Sequence, residues 1–469
     1  MLDRQTRQAL LRSAARMAPA PAMIAITILL AATTAHAQMQ PWEGSSIVDD
    51  PEWQKHFLGS YGFLSGAEPE VRPSELEILK EVIDLMKVNP KAAAEMLAQR
   101  KPADSSAAID FVLANLQFQN NDLEGAIASY GSALEKFPDF RRAHKNLGLL
   151  RVQTSHYRGG VEHLSRAIEL GERDGRAYGL LGYCYVNLEN FLAAEAAYRN
   201  AILHQPESRD WQLGLARSLL GMNKNEEAVA LFAAILETDP KDATAWMLQA
   251  NAYLGLDQPM AAAVNLEAVR MLGEADATTL NLLGDIYMNE GIADLALDAY
   301  RDVVRQDEEG SQLGAASRAA DLLHRAQAHG EAAELLDLIK RRYGKALEGD
   351  AGLDLTTLQA KVARAQGRPK EAARLLETVV ERDGTRGEAL LELARYHRDQ
   401  GNDQKALLML ERARSLEDFE YAALIEQAQF QVSAKKYAEA AGLLRQAIAI
   451  RPEPRVERFL ARVEEAARR

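Results

Sequence analysis

The side chains that could do chemistry in this 469-residue chain are few and poorly placed for it. His324 and His329 come closest together among nine histidines, five apart on one predicted helix. Residues share a helix face at spacings of three or four, so this pair offers no metal site. Asp350 and Asp354 could open a calcium loop, but the glycine and terminal glutamate that such a loop needs are not in place, which leaves a solvated acidic segment. Glu226 and Glu227 lie on a helix surface with no enclosed pocket to raise a carboxyl pKa for acid–base work. The only cysteine, Cys184, sits between Tyr183 and Tyr185; it reads as a small core residue and cannot form an intramolecular disulfide. There is no glycine-rich loop ending in Lys-Ser or Lys-Thr, no dinucleotide fingerprint and no His-Glu-x-x-His. The expectation is a non-catalytic protein, with no catalytic residue, metal or cofactor.

What the chain repeats is packing. Ala92, Ala126, Gly160, Ala194, Ala228, Ala262 and Ala296 stand 34 apart, and Ala372, Ala406 and Ala440 resume that spacing. Four residues after the anchor comes a bulky side chain (Tyr130, Leu164, Tyr198, Phe232, Leu266, Tyr300), and three further on a small or β-branched one (Ala133, Ala167, Ala201, Ile235, Val269, Val303). Offsets of four and seven lie on one helix face. Upstream, Leu147-Gly148, Leu181-Gly182, Leu215-Ala216 and Leu283-Gly284 mark a partner helix, where a small residue beside a large one lets two axes approach. Asn120-Asn121-Asp122, Asn223-Lys224-Asn225 and Gly401-Asn402-Asp403 supply turns, and Pro138, Pro206, Pro240 and Pro452 close repeats. A period of 34 in helix-forming composition predicts stacked helix-turn-helix units.

These residues resemble the tetratricopeptide repeat (TPR) family. Its pattern of Trp, Leu-Gly, Tyr, Ala, Phe, Ala, Pro is met by Tyr178, Leu181, Gly182, Tyr185, Ala194, Tyr198, Ala201 and Pro206, and more loosely by Trp246, Ala250, Tyr253 and Ala262. The resemblance covers Pro73 to Pro452, with a degenerate first repeat from Glu75 to Arg100. It implies an all-α, right-handed superhelical solenoid of about eleven repeats closed by a C-terminal capping helix at 453–469. The register slips twice, Ala332 standing 36 residues after Ala296 and Ala372 standing 40 after Ala332, through extra residues at Asp307–Ser311 and Gly344–Gly352. These are either tolerated surface loops or a flexible joint dividing an N-terminal array (73–309) from a C-terminal array (310–452), with 341–353 as a candidate hinge.

In this family the first helices of successive repeats line a concave groove. Carried onto the register of this chain, that face holds Phe111, Asn115 and Phe118; Arg142, Lys145 and Leu149; Arg176, Tyr183 and Asn187; Leu213 and Arg217; Met247 and Asn251. Cations pair with carboxylates and asparagines hold backbone amides, so an extended, partly acidic peptide is the expected ligand. Further along, Asn281, Asp285 and Asp321 reverse the sign, and Lys361, Arg364, Arg395 and Arg398 restore it. Lys145, Asn146 and Arg176 echo only part of the family's clamp for a terminal carboxylate, so that activity is not assigned.

The first 37 residues differ. Arg4, Arg7, Arg12 and Arg16 precede an apolar run from Ala22 to Ala32, and Ala35-His36-Ala37 predicts cleavage before Gln38. The protein is therefore expected in the periplasm; counting from Met17 to Ala35 leaves an uncleaved inner-membrane anchor as the alternative. Removing Asp3 and the four arginines from 68 acidic and 55 basic residues leaves 67 and 51, a balance of −16, which argues against a nucleic-acid partner. Between leader and repeats, 38–72 carries Trp42, Trp53, His56, Phe57, Tyr61 and Phe63 without helical period. Such rings pack on something, either as a cap on the first repeat or as a tail that docks on a partner or in the protein's own groove. The expected function is a periplasmic adaptor binding protein partners, extended segments or subunits of a cell-envelope complex. The sequence most resembles repeat proteins beside TonB-type transducers, with ExbB-type membrane proteins as candidate partners. The alternative is a protein that binds or helps export polysaccharide.

Overall fold

The computed structural model describes residues 68–468. The leader at 1–37 and most of the aromatic-rich segment, including its two tryptophans, lie outside the described residues. Among the described residues there are 23 α-helices and no strand, and no helix is long and apolar enough to cross a membrane.

Contacts divide the chain into two compact units between Asn265 and Leu266. The first holds α1 (Leu76–Met86), α2 (Pro90–Arg100), α3 (Ala107–Gln119), α4 (Leu123–Lys136), α5 (Arg141–Gln153), α6 (Tyr157–Glu169), α7 (Gly175–Asn187), α8 (Phe191–His204), α9 (Arg209–Gly221), α10 (Asn225–Thr238), α11 (Ala243–Gly255) and the beginning of α12 (Pro259–Leu272). The second holds the rest of α12, then α13 (Ala277–Asn289), α14 (Ala293–Gln306), α15 (Leu313–Arg325), α16 (His329–Tyr343), α17 (Asp350–Ala365), α18 (Pro369–Arg382), α19 (Gly387–Asp399), α20 (Asp403–Arg414), α21 (Glu417–Ser433), α22 (Tyr437–Ile450) and α23 (Pro454–Arg468). Within each unit a helix packs mainly on the helices before and after it in sequence, the helix-turn-helix series that the period predicts.

The period has a backbone record. The turn inside each repeat carries one residue in the left-handed region: Asn121, Ser155, Glu189, Asn223, Asp257 and Gly291 at intervals of 34, then Gln327 after 36, Gly367 after 40, and Gly401 and Lys435 after 34 each. A reversal of this sign at a helix C-terminus satisfies its last carbonyls and sets the angle of the return helix. Side chains fix several starts: Asn89, Asp122, Asn190 and Asp242 accept from the backbone N–H of Ala92, Gly125, Ala193 and Ala245.

Small-against-large packing explains the anchors. A Cβ added to Gly148 would stand 2.7 Å from Leu164 Cγ, and one on Gly284 would stand 2.4 Å from Tyr300 Cε1. Gly160 replaces alanine in the anchor row because Cys184 Sγ fills the space, 2.6 Å from where its Cβ would be. Cys184 is wholly buried, and burial pushes its thiol up to about 12, which suits a packing role.

Both register slips lie in the second unit and are structured. After α14, the Asp307 carboxylate accepts from the backbone N–H groups of Gly310, Ser311 and Gln312 and from the Tyr343 hydroxyl. Burial opposes its charge, yet these donors hold its carboxyl below the ordinary range. A 3₁₀ turn, Gly344–Glu348, takes up the second slip. Beyond it, Arg386 ties Asp354 at 2.7 Å and also binds Asp350 and Asp383, so the acidic segment is organised around an arginine. His324 and His329 do not share a helix: α15 ends at Arg325, α16 begins at His329, and the rings meet across the turn at 5.0 Å.

Candidate functional site

The odd-numbered helices carry the expected ligand face. In the first unit α5 touches α7, α7 touches α9, and α9 touches α11, so side chains at one register position follow one another along a strip. In the second unit α13, α15, α17, α19 and α21 repeat the arrangement.

At the start of the first strip the structure departs from the expectation. Phe111, Asn115 and Phe118 of α3 are buried. The Phe111 ring packs against Phe140 and Tyr130 at centroid distances of 4.7 and 5.7 Å, and Phe118 belongs to the same core. Asn115 accepts from the Tyr130 hydroxyl and from Asn146 Nδ2 at 3.1 Å. The helical period placed these side chains on the right face, but Phe140, from the loop before α5, and Tyr130, from α4, close over them. Asn146 is likewise buried and committed, so it cannot serve a terminal carboxylate.

Arg142 does bind a carboxylate. Its Nε and Nη2 donate to Glu68 Oε1 and Oε2 at 2.5 and 2.6 Å, a two-pronged pair with the side chains 12% and 5% exposed. The guanidinium carbon lies 5.0 Å from the Phe111 ring centroid and 6.0 Å from that of Phe140. Planar charge, two parallel donors and aromatic faces beneath make this a strong, desolvated pair. Glu68 comes from the segment ahead of the repeats, 74 residues away. No periodic signal points to it. Lys145, one turn from Arg142, lies near Glu172 and Asp174 at 3.6 and 3.7 Å.

On α7, Arg176 is half-buried, Tyr183 meets Tyr157 edge-on at 5.8 Å, and the exposed Asn187 donates to the Tyr183 carbonyl at 2.9 Å. Burial, the neighbouring Tyr157 and the like push the Tyr183 hydroxyl up to about 12. On α9, Arg217 is half-buried; its Nε is enclosed with no hydrogen-bond partner, and burial lowers its pKa. Asn251 on α11 is exposed. Tyr183, Arg217 and Asn251 occupy one register position, 34 apart, on helices that touch in turn. Asp210, two helical turns before Arg217, was not on the expected face; it stands 34 after Arg176, so the same ruler reaches it, and burial raises its carboxyl pKa.

The second unit neutralises its own strip. Asp285 receives Arg318 at 3.1 Å and the Tyr300 hydroxyl at 2.6 Å. Lys361 binds Glu388, Arg364 binds Glu392, and Glu426 takes Arg395 at 2.6 Å and Arg398 at 3.2 Å. Asp321 pairs with Arg325 at 2.6 Å, and the Asn281 amide folds back on the Ala277 carbonyl at 2.8 Å. Among the described residues no group of three or more histidine, cysteine, aspartate or glutamate side chains could hold a metal ion.

Two family models described as "Tetratricopeptide repeat" match the chain, one at 188–252 and 363–428, the other at 111–154, 145–202 and 247–311, together more than half of it. The chain is a tetratricopeptide repeat protein. TPR arrays are scaffolds for protein–protein interaction, and proteins or peptides are the partners this family implies. Over 118 residues, 25% of its length, this TPR chain is 28% identical to the general transcriptional corepressor trfA of Dictyostelium discoideum. Over 122 residues it is 24% identical to the corepressor ssn6 of Schizosaccharomyces pombe. The aligned stretches span 8% and 11% of those proteins' own lengths. Among solved structures it is similar to YrrB, "a TPR protein with an unusual peptide-binding site" (22% identity, TM-score 0.36, covering 42% of this chain and 95% of that one). It is also similar to a TPR protein from Parabacteroides merdae (19%, TM-score 0.36, covering 54% and 99%).

Proposed function

We propose that this TPR protein is an exported scaffold that gathers protein partners of a cell-envelope complex in the periplasm, and that the first-helix face of its first unit receives extended, acid-bearing segments of those partners. The observation that carries the reading is the Arg142–Glu68 pair: a cation of the expected face holds a carboxylate delivered by chain outside the repeats, in two-pronged geometry over two aromatic rings. Location in the periplasm rests on the arginine-flanked apolar leader and the Ala35-His36-Ala37 site, and the acidic balance of the processed chain favours a protein over a nucleic acid as partner. Partnership with TonB- or ExbB-type membrane proteins is the specific form of the proposal.

A polysaccharide ligand would need rings presented to it. Phe111 and Phe118 are instead in the core, which removes the main support for that reading. The test is capture from envelope extracts with the full processed chain, set beside glycan binding by the same protein. Enrichment of TonB- or ExbB-type proteins is the expected result. Saturable sugar binding with no protein captured would reject the scaffold.

A further inference from the structure

We infer that Arg217 is the anchor of a second carboxylate subsite on the first unit, built to take a glutamate or aspartate side chain from an extended peptide crossing α7, α9 and α11. The inference rests on the peptide-scaffold reading above and gives it a specific residue. Arg217 is the one cation of the expected face whose Nε is enclosed without a hydrogen-bond partner, and no carboxylate pairs with it among the described residues. The comparable cations are all engaged: Arg142 by Glu68, Lys145 by Glu172 and Asp174, and Arg209, earlier on α9, by Asp242.

The cause is legible in the fold. Cations of the second unit find their acids 27, 28 or 31 residues on, in the next first helix, and Asp285 finds Arg318 at 33. From Arg217 the forward distances fall on Thr244, Ala245 and Leu248, within a stretch Thr244–Ala250 that contains no acid, and 33 residues back stands Cys184. Asp210 lies two turns up the same helix, about 10 Å along the axis, beyond reach of an ion pair. Between them the Tyr198 ring fills the space at Gly214, and Tyr198 interacts electrostatically with the Arg217 guanidinium. Tyr183 one repeat earlier and Asn251 one repeat later flank it at the same register position. Burying a guanidinium without its counter-ion is costly, and an incoming carboxylate recovers that cost as a charge-assisted pair. Burial lowers the Arg217 pKa, in keeping with a guanidinium that has no carboxylate partner among the described residues.

The test uses the full processed chain and a randomised heptapeptide library with both termini blocked, followed by affinity measurements on a selected peptide and its twin with glutamine for glutamate. The expected result is enrichment of acidic residues, with the glutamate peptide binding the native chain about tenfold more tightly than its twin. Arg217→Gln should erase that preference, and Arg217→Lys, which keeps the charge without the fork, should lie between. Peptides retained with the same glutamate preference by native chain and Arg217→Gln would overturn the subsite and leave the scaffold reading standing. Retention of peptides from a parallel library with a free C-terminus, with none retained from the blocked library, would give Arg217 to a chain end and overturn the side-chain assignment. No peptide retained by any of the three chains would overturn the scaffold reading and the subsite with it.

Discussion

Cations on the first helices meet opposite fates in the two units. In the second, Lys361, Arg364, Arg395 and Arg398 are matched by acids of the neighbouring repeat, and the strip is complete in itself. In the first, Arg142 draws its carboxylate from outside the repeats, and Arg217 has none among the described residues. A shared fold therefore carries two electrostatic states, one closed and one that still needs an acid. The difference teaches that charge on a repeat surface is no guide to binding until the residue one repeat away has been read as well. Lys145 makes the point inside the first unit, since Glu172 and Asp174 occupy the pairing distance and quiet it.

The strongest way to break the comparison is to open the closed strip. Glu426 serves two arginines with its side chain 12% exposed, so Glu426→Ala leaves Arg395 to Glu392 and Arg398 to Asp399 alone and should cost about 1–2 kcal/mol in the second unit, read by denaturant unfolding. Arg217→Gln is the counterpart in the first unit; it removes a partly buried cation that has no acid to lose, and the same measurement should place it level with the native chain or up to about 1 kcal/mol more stable. A loss at Arg217 equal to that at Glu426 would erase the distinction.

Packing should treat both units alike, differing only in degree. Gly284→Ala drives a methyl into Tyr300 at 2.4 Å and should cost about 2 kcal/mol, while Gly182→Ala meets the Tyr198 ring at 3.0 Å and should cost about 1 kcal/mol, both read as falls in melting temperature.

Acid separates the units by different groups. Burial and the adjacent His144, whose Nδ1 lies 3.1 Å from Nδ1 of His163, hold His163 down to about 4, with Glu162 opposing and Arg151 assisting. The unfolded chain then binds more protons than the folded one between 6.5 and about 4, so stability falls as pH drops through that window. His163→Gln should flatten this part of a stability–pH curve. Asp307, held below the ordinary carboxylate range, contributes stability above its unfolded pKa that is lost only as pH falls towards its folded one; Asp307→Asn should flatten the more acidic limb alone. The smallest effect is expected in the turns: Lys435→Gly relieves a left-handed lysine and should gain about 0.5 kcal/mol after glycine's own entropy cost.

The repeat itself was legible because its causes are local. Gly148 against Leu164 and Gly284 against Tyr300 force a small residue at a fixed place, and the left-handed turn residues keep the same interval, slips included. Exposure on the ligand face was not legible from period alone. A helix period says which way Phe111 points, but Phe140 and Tyr130, from other elements, decide whether water reaches it. Glu68 was out of reach for the same reason, since an ion pair across 74 residues leaves no pattern. The lack of an acid opposite Arg217, by contrast, is written in Thr244–Ala250, and reading across repeats rather than along one helix finds it.

Hydrogen exchange of the full chain, alone and saturated with the selected glutamate peptide, reads both strips in one experiment. The account predicts slowed exchange in α7, α9 and α11 with α17, α19 and α21 unchanged. Slowing confined to α17, α19 and α21, with the first unit unaffected, would contradict it.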